Sequence, residues 1–391
     1  MNRPLIITIG IVVVLLVLGL WVYLLLFGAP KSSGEVFSNL GFTIAQQEVT
    51  ITPPANIPLP TTTVDTTGEA LRQLTTRPVA GFTLLNTASS SVVRYIERGT
   101  GHMYEIDLST GKEIALSRTT VPKTAEAVFN ATGATVALTS HDQYQTNVFV
   151  GTLGEAINLE GIQLQPGAKN IAFASDEDVL YTVTTNGTTQ GYRHNIETLS
   201  QTELFAFNYT NIDMGWGGDL AQIYLATKPA YNLEGYIYTT EGGILTPAAP
   251  SAYGLSALYS NDELITTFTR GGTYTSVVQT KEVQQRQLPI LALKEKCVFD
   301  TFTTNFIWCA APLSTSNPQF VENWYKGITT SVDHLWLVDT QGGEAQLYAN
   351  FEDLSGRTID VSSISINNTG TALSFTNKLD HTLWLYDLTV E

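Results

Sequence analysis

From Glu69 to its C-terminus the chain consists of four-to-eight-residue runs rich in Val, Ile, Tyr, Phe and Thr, separated by Gly, Asn and Asp. None of these runs sustains the 3.6-residue period of an amphipathic helix, so the pattern predicts β-strands joined by tight turns. The runs also repeat. Phe129–Ser140 (FNATGATVALTS) matches Ile366–Asn377 (INNTGTALSFTN): a strand, an Asn-x-Thr-Gly turn whose glycine can take positive φ, and a second strand. Weaker copies lie at Ala174–Val183 and Tyr259–Phe268. A second hairpin, His102–Leu116, is echoed at His334–Tyr348 and His381–Glu391, each an apolar strand ending in Asp107, Asp339 or Asp387.

In order, the two hairpins make a four-stranded unit whose innermost strands begin near residues 79, 124, 169, 211, 254, 296 and 361. Steps of 42–45 residues, with one of 65, match the period of a propeller blade, and seven starts predict an all-β, seven-bladed β-propeller over residues 69–391. The last unit stops after its third strand, while Gly68–Thr76 (GEALRQLTT) reads as an unassigned strand before the first blade. That N-terminal strand is expected to close the ring by supplying the missing outer strand. The strand-turn-strand pattern with its polar-Gly turn, and the aromatic-x-x-Asp strand, resemble WD-repeat-like and TolB-like propellers, although the Trp-Asp dipeptide is missing. Only architecture is implied by that resemblance. The order of apolar N-terminal segment, Pro/Thr-rich stretch, propeller, KCVFDTFTTNFIWCAAP and NWYKG…DHLWLVD is further similar to uncharacterised single-pass envelope proteins of candidate-phylum bacteria.

Ahead of the repeats, Leu5–Phe27 runs without a charge. At ~1.5 Å per residue it would cross a ~30 Å hydrocarbon core, and it exceeds the ~7–15-residue apolar core of a secretory signal. Residues 5–27 are therefore read as an uncleaved transmembrane anchor with residues 1–4 as a cytoplasmic stub; cleavage near Gly28-Ala29 is the alternative. Residues 28–68, rich in Pro, Thr, Ser and Asn, form a stalk. This places the C-terminal domain outside the cytoplasm, on the cell membrane.

Composition narrows the function. Twenty Lys and Arg against 36 Asp and Glu give a formal charge of −16, which argues against a nucleic-acid partner. Cys297 and Cys309 flank a hairpin centred near Thr303, so they oppose each other within disulfide range in an exported chain. No metal site and no cofactor is expected, since two thiols without a Cys or His cluster make a poor shell for zinc. No G-x-S-x-G, H-E-x-x-H or P-loop motif occurs. His102, His334 and His381 share one repeat position and so stand apart around the ring. His141 and Asp142 fall in a loop of the second blade, on the face where propellers often bind ligands.

The irregular sixth unit holds its excess between Pro312 and Ser331 (PLSTSNPQFVENWYKGITTS). Phe320, Trp324 and Tyr325, beside Glu322 and Asn323, are either exposed for a carbohydrate, peptide or protein partner or folded down as a lid on the channel mouth or the blade edge. The function expected is a membrane-anchored extracytoplasmic module that binds an envelope protein or glycan. The alternative is a propeller enzyme: a polysaccharide hydrolase or lyase, or a quinone-dependent dehydrogenase.

Overall fold

The computed structural model describes Leu18 and residues 69–391, apart from 87–90, 144, 156, 211, 217–222, 242–243, 261–262, 281–284, 316 and 391. The anchor (5–27) and stalk (28–68) assigned from sequence lie outside the described residues, save for Leu18. Among the described residues no helix is long and apolar enough to cross a membrane. The repeats lie within the unit Pro60–Glu391.

Seven four-stranded antiparallel sheets follow one another along the chain. Their first strands are Val79–Asn86, Thr124–Phe129, Lys169–Phe173, Ile212–Trp216, Ser256–Tyr259, Cys297–Phe299 and Val361–Ile366. Each lies within two residues of the start expected from the repeat. First strands neighbour one another from blade one to blade four and from blade six to blade seven, and Val361–Ile366 of the seventh returns to Val79–Asn86 of the first, so they form the inner wall of a ring. Packing there is close: a Cβ on Gly81 would stand 2.0 Å from the carbonyl oxygen of Ala127 in the next blade.

The recurrent turns explain the repeat. In the inner hairpins, Asn130 Oδ1 accepts the Thr135 amide at 3.0 Å and Asn367 Oδ1 accepts the Thr371 amide at 2.8 Å, while Gly133 (φ 67°) and Gly370 (φ 65°) take the left-handed conformation. The third strands end at Asp107, Asp339 and Asp387, whose Oδ1 atoms accept amides two residues on, at 2.8–3.0 Å. These aspartates therefore cap turns.

The seventh sheet takes its first three strands from the C-terminus and its fourth from Leu71–Gln73, paired as Leu71↔Tyr386, Arg72↔Leu385 and Gln73↔Trp384. Leu71 is buried with Trp384, Tyr386 and Phe375.

Between blades, strand faces bury separate apolar layers. Clusters join blades one and two, two and three, three and four, five and six, six and seven, and seven and one. Among the described residues no such cluster joins blades four and five, where a cleft opens instead. A ribbon of Glu234–Gly235 against Ala252–Tyr253 links those two blades. Two short helices, Phe320–Tyr325 and Phe351–Ser355, interrupt the all-β pattern.

In the sixth blade Cys297 and Cys309 are direct cross-strand partners, as the hairpin centre implied, with Sγ–Sγ 2.07 Å. They form a disulfide-capable pair inside the layer between blades five and six.

Candidate functional site

In every blade the first strand begins, the second ends and the third begins at the same end of the sheet, and these ends together make one face of the ring. The sixth blade carries its insertion on this face. Its helix Phe320–Tyr325 has no side-chain cap at Gln319, so tertiary contacts hold it. Phe320 (8% exposed), Val321 and Trp324 (3%) turn down onto Leu291 and Leu293. Of the two arrangements open from sequence, the aromatics thus adopt the packed one.

Polar groups then tie the helix to three other blades. Glu322 Oε2 accepts the Tyr231 amide of blade four at 2.7 Å, and Glu322 also pairs with Lys326. Tyr274 of blade five donates its hydroxyl to the Pro318 carbonyl at 2.8 Å and accepts the Val321 amide at 3.2 Å. Trp324 Nε1 donates to Asp360 Oδ1 at 2.8 Å, at the entrance to blade seven, and Lys378 of that blade donates to the Trp324 carbonyl. The Lys378 ammonium sits 3.7 Å from the centroid of the Trp324 ring.

Beneath the helix lies an ionic cluster that begins where the Lys294-Glu295-Lys296 run meets the inner strand of blade six. Lys296 is fully buried, and its Nζ reaches Asp333 Oδ2 at 2.5 Å and Asp360 Oδ1 at 2.7 Å. Both carboxylates have further donors. Asp333 accepts the Val361 amide (2.7 Å) and the Ser331 hydroxyl; Asp360 accepts Trp324 Nε1 and the Ser331 amide (3.1 Å). Such density of donors is what lets charge persist in a dry interior. Burial pushes the Asp333 carboxyl above its ordinary range despite the neighbouring ammonium.

The cluster extends towards blade four. Lys294 pairs with Asp213 and stands 3.7 Å from Glu295, whose Oε2 accepts the Tyr325 hydroxyl at 2.7 Å. Desolvation raises the Glu295 carboxyl and, strongly, the Tyr325 phenol. Desolvation works against the Lys294 ammonium, but Glu295 and Asp213 hold its pKa above the usual value.

Lys294 and Asp213 also form one wall of the cleft between blades four and five, a cavity of about 190 Å³ lined further by Trp216, Tyr224 and Tyr259. The rings of Tyr224 and Tyr259 meet across it. The cleft combines an ammonium, a carboxylate and two phenols on an apolar floor, a set able to orient a small polar molecule. Among the described residues no three His, Cys, Asp or Glu side chains are grouped to hold a metal ion.

Of the residues singled out from sequence, Trp324 and Tyr325 reach the ionic cluster, Phe320 packs onto Leu291 and Leu293, Glu322 accepts the Tyr231 amide of blade four, and Asn323 contributes backbone bonds to the turn after the helix. His141 and Asp142 share the face but belong to blade two. Asp142 is held below the usual carboxylate range by the Gln143 amide (2.7 Å) and by Lys123 (3.2 Å), and His141 meets Thr146 at 3.3 Å. Their recorded partners are local. Sequence reasoning missed Lys294, Glu295, Lys296, Asp213, Asp333 and Asp360. One signal was present: Lys-Glu-Lys is a dense charge run in a chain only 14% charged, placed at a strand start.

No family model matches the chain, and no curated protein does. Among solved structures, the chain is similar to the β-propeller domain of the Trilobed protease from Pyrococcus furiosus, described as having an open velcro topology (TM-score 0.50, 9% identity, 78% of this chain and 95% of that one). It is also similar to an oligogalacturonate lyase in complex with manganese (TM-score 0.51, 12% identity, 80% and 96%). At these identities the likeness shows the fold: this is a seven-bladed β-propeller.

Proposed function

We propose that the protein is a membrane-anchored, extracytoplasmic propeller that binds a protein or glycan partner as a scaffold module of the cell envelope, with residues 5–27 as anchor and 28–68 as stalk. One observation carries the binding part. The ionizable groups gathered on this face are engaged with one another beneath a helix, whereas the same face presents exposed apolar and aromatic side chains. These include Leu313 (63%), Ile328 (70%) and Val332 beside the helix, and Leu233 (64%), Tyr209 and Tyr236 on blade four. Buried mutual pairing suits a rigid platform, and exposed apolar groups suit a partner. The disulfide-capable cysteine pair, the apolar N-terminal run and the similarity to single-pass envelope proteins support the location. The pairing of Leu71–Gln73 with the last strand would act as the clasp of the ring, keeping the platform rigid where it joins the stalk.

Two measurements test this. With Thr62→Cys in the stalk, a membrane-impermeant maleimide should label intact cells; labelling only after permeabilisation would refute the orientation. Crosslinking in intact envelopes from positions 313 and 328 should trap a discrete partner, and equal yield from a site on the opposite face would refute the platform.

The cleft between blades four and five favours a second reading, an enzyme acting on a small polar substrate with Lys294 and Asp213 at the reacting end. That reading requires turnover lost in Lys294→Met with binding of the envelope partner unchanged.

A further inference from the structure

On the same face, at blade four, lies a second cavity of about 370 Å³. Its walls come from Tyr209 just before the first strand, Ile212 at its start, the end of the second strand (Leu225, Thr227) and the entry to the third (Tyr236, Tyr238). The rings of Tyr236 and Tyr238 lie within 15° of parallel with centroids 6.3 Å apart, and those of Tyr238 and Tyr209 within 28° at 6.4 Å. Tyr236 and Tyr209 are 41% and 48% exposed. By contrast, Tyr95 and Tyr181 are fully buried between blades. A row of aligned, accessible phenols around a concavity is an aromatic surface open to a ligand.

Polar groups frame the rings. Glu234 accepts the Tyr236 hydroxyl at 3.2 Å, and Thr227 Oγ1 accepts the Tyr236 amide at 2.9 Å, fixing the ring at the rim. The ribbon pairing Glu234↔Tyr253 and Gly235↔Ala252 braces that segment from blade five. The site is thus preformed, which lowers the ordering cost of binding.

We propose that this pocket binds a neutral saccharide. The ligand must offer a flat apolar face to stack on phenol rings and hydroxyls at its edge for carboxylate and hydroxyl partners. A pyranose meets both needs, with axial C–H groups on its faces and hydroxyls around its rim. Nucleobases also stack on aromatics, but their phosphates would face Glu234 and a chain of formal charge −16. Acidic sugars meet the same repulsion. The cavity sits at the lower end of the small-ligand range, which fits a short stretch of glycan.

This rests on the binding-module reading and names its ligand. The test is calorimetric titration of the full chain in detergent micelles with neutral cello-, malto- and N-acetylglucosamine oligosaccharides, and with a sulfated oligosaccharide for contrast. At least one neutral series should bind. Tyr236→Ala and Tyr209→Ala should each weaken it roughly tenfold or more, while Tyr236→Phe, which keeps the stacking face, should stay within about threefold. The sulfated ligand should bind about tenfold more weakly than the neutral one or not at all. Both alanine sites are exposed, and circular dichroism checks that the variants fold. Absence of binding by every neutral series, binding indifferent to both alanine variants, or a preference for the sulfated ligand overturns the proposal. If those failures accompany a partner still crosslinked from positions 313 and 328, the glycan inference falls alone; loss of both defeats the binding-module reading as well.

Discussion

Lys296 offers the sharpest test of how the sixth-blade helix and the ionic cluster beneath it are held. Lys296→Met keeps the apolar stem and removes the ammonium that lies 2.5 Å from Asp333 and 2.7 Å from Asp360, all three side chains having no accessible surface. Breaking a buried ion pair by deleting one partner costs about 3–5 kcal/mol, because a charge remains in a medium that cannot solvate it. Here two carboxylates remain, but each keeps donors from Ser331, together with Val361 for Asp333 and Trp324 for Asp360. These bonds keep the expected loss within that range rather than above it. With an unfolding entropy of about 2.1 cal/mol/K per residue over roughly 320 residues, the loss corresponds to a melting temperature lower by about 4–7 °C.

The pH dependence discriminates further. Burial already raises the Asp333 carboxyl, and without the ammonium it rises further. A carboxyl whose folded pKa exceeds its unfolded value of ~3.9 leaves the folded state holding the extra proton, so stability is greatest at low pH and falls as pH climbs through the folded pKa. The deficit of Lys296→Met relative to wild type should therefore be largest near pH 8 and shrink towards pH ~5, and Asp333→Asn added to it should recover part of the loss. Urea unfolding followed by circular dichroism at both pH values measures this. A deficit below about 1 kcal/mol near pH 8, or one that grows on acidification, would refute the account of the cluster.

Four other outcomes follow from the same coordinates. Non-reducing mass analysis should find Cys297 and Cys309 bonded to each other, and reduction should lower stability by roughly 3 kcal/mol, as loop closure over so short a segment implies. Gly81→Ala, which sets a methyl 2.0 Å from the Ala127 oxygen, should cost at least about 1–3 kcal/mol in thermal unfolding, because the obstacle is backbone of the next blade. Deleting residues 69–73 removes buried Leu71, the pairing with Leu383–Asp387 and the Arg357–Gln73 bond of 3.0 Å; a broadened, lowered unfolding transition is expected, and an unchanged one would dismiss the clasp. Glu295→Gln should reduce the loss of stability with rising pH, since desolvation raises that carboxyl in the folded state; equal pH slopes for variant and wild type would oppose the assignment.

How much of this was readable beforehand divides along a physical line. First strands at residues 79, 124, 169 and 361 coincide with the repeat because short-range signals specify them: Asn130 and Asn367 bond their own turns, Gly133 and Gly370 take positive φ, and Asp107 and Asp339 cap the turns after the third strands. Cys297 opposite Cys309 follows from the same register logic. The helix Phe320–Tyr325 carried no such mark. It is six residues long, and its cap residue Gln319 makes no side-chain capping bond. Its aromatics read equally well as exposed or packed until Leu291 and Leu293 are known to lie beneath them. Asp333 and Asp360 stand just before strands, where short acidic residues ordinarily serve turns. What makes them a cluster is their convergence on Lys296 across 37 and 64 residues of chain, a relation that no local pattern encodes.

The helix and the seam between blades four and five are two parts of one arrangement. Six interblade seams are sealed by apolar layers, so each resists opening in proportion to the area it hides from water. At the remaining seam the apolar layer gives way to the cleft, and cohesion falls to directional contacts: the Lys294–Asp213 pair, the meeting of Tyr224 with Tyr259, and the ribbon of Glu234–Gly235 with Ala252–Tyr253. The sixth-blade helix reaches over this same seam. It holds blade five through Tyr274 and blade four through the Tyr231 amide, while Asp360 and Lys378 fasten its other end to blade seven. A strap across the weakest joint lets the ring keep a cleft there without losing closure. It also explains why the charges lie where they do: ion pairs and hydrogen bonds fix geometry across a gap that close packing has left unfilled.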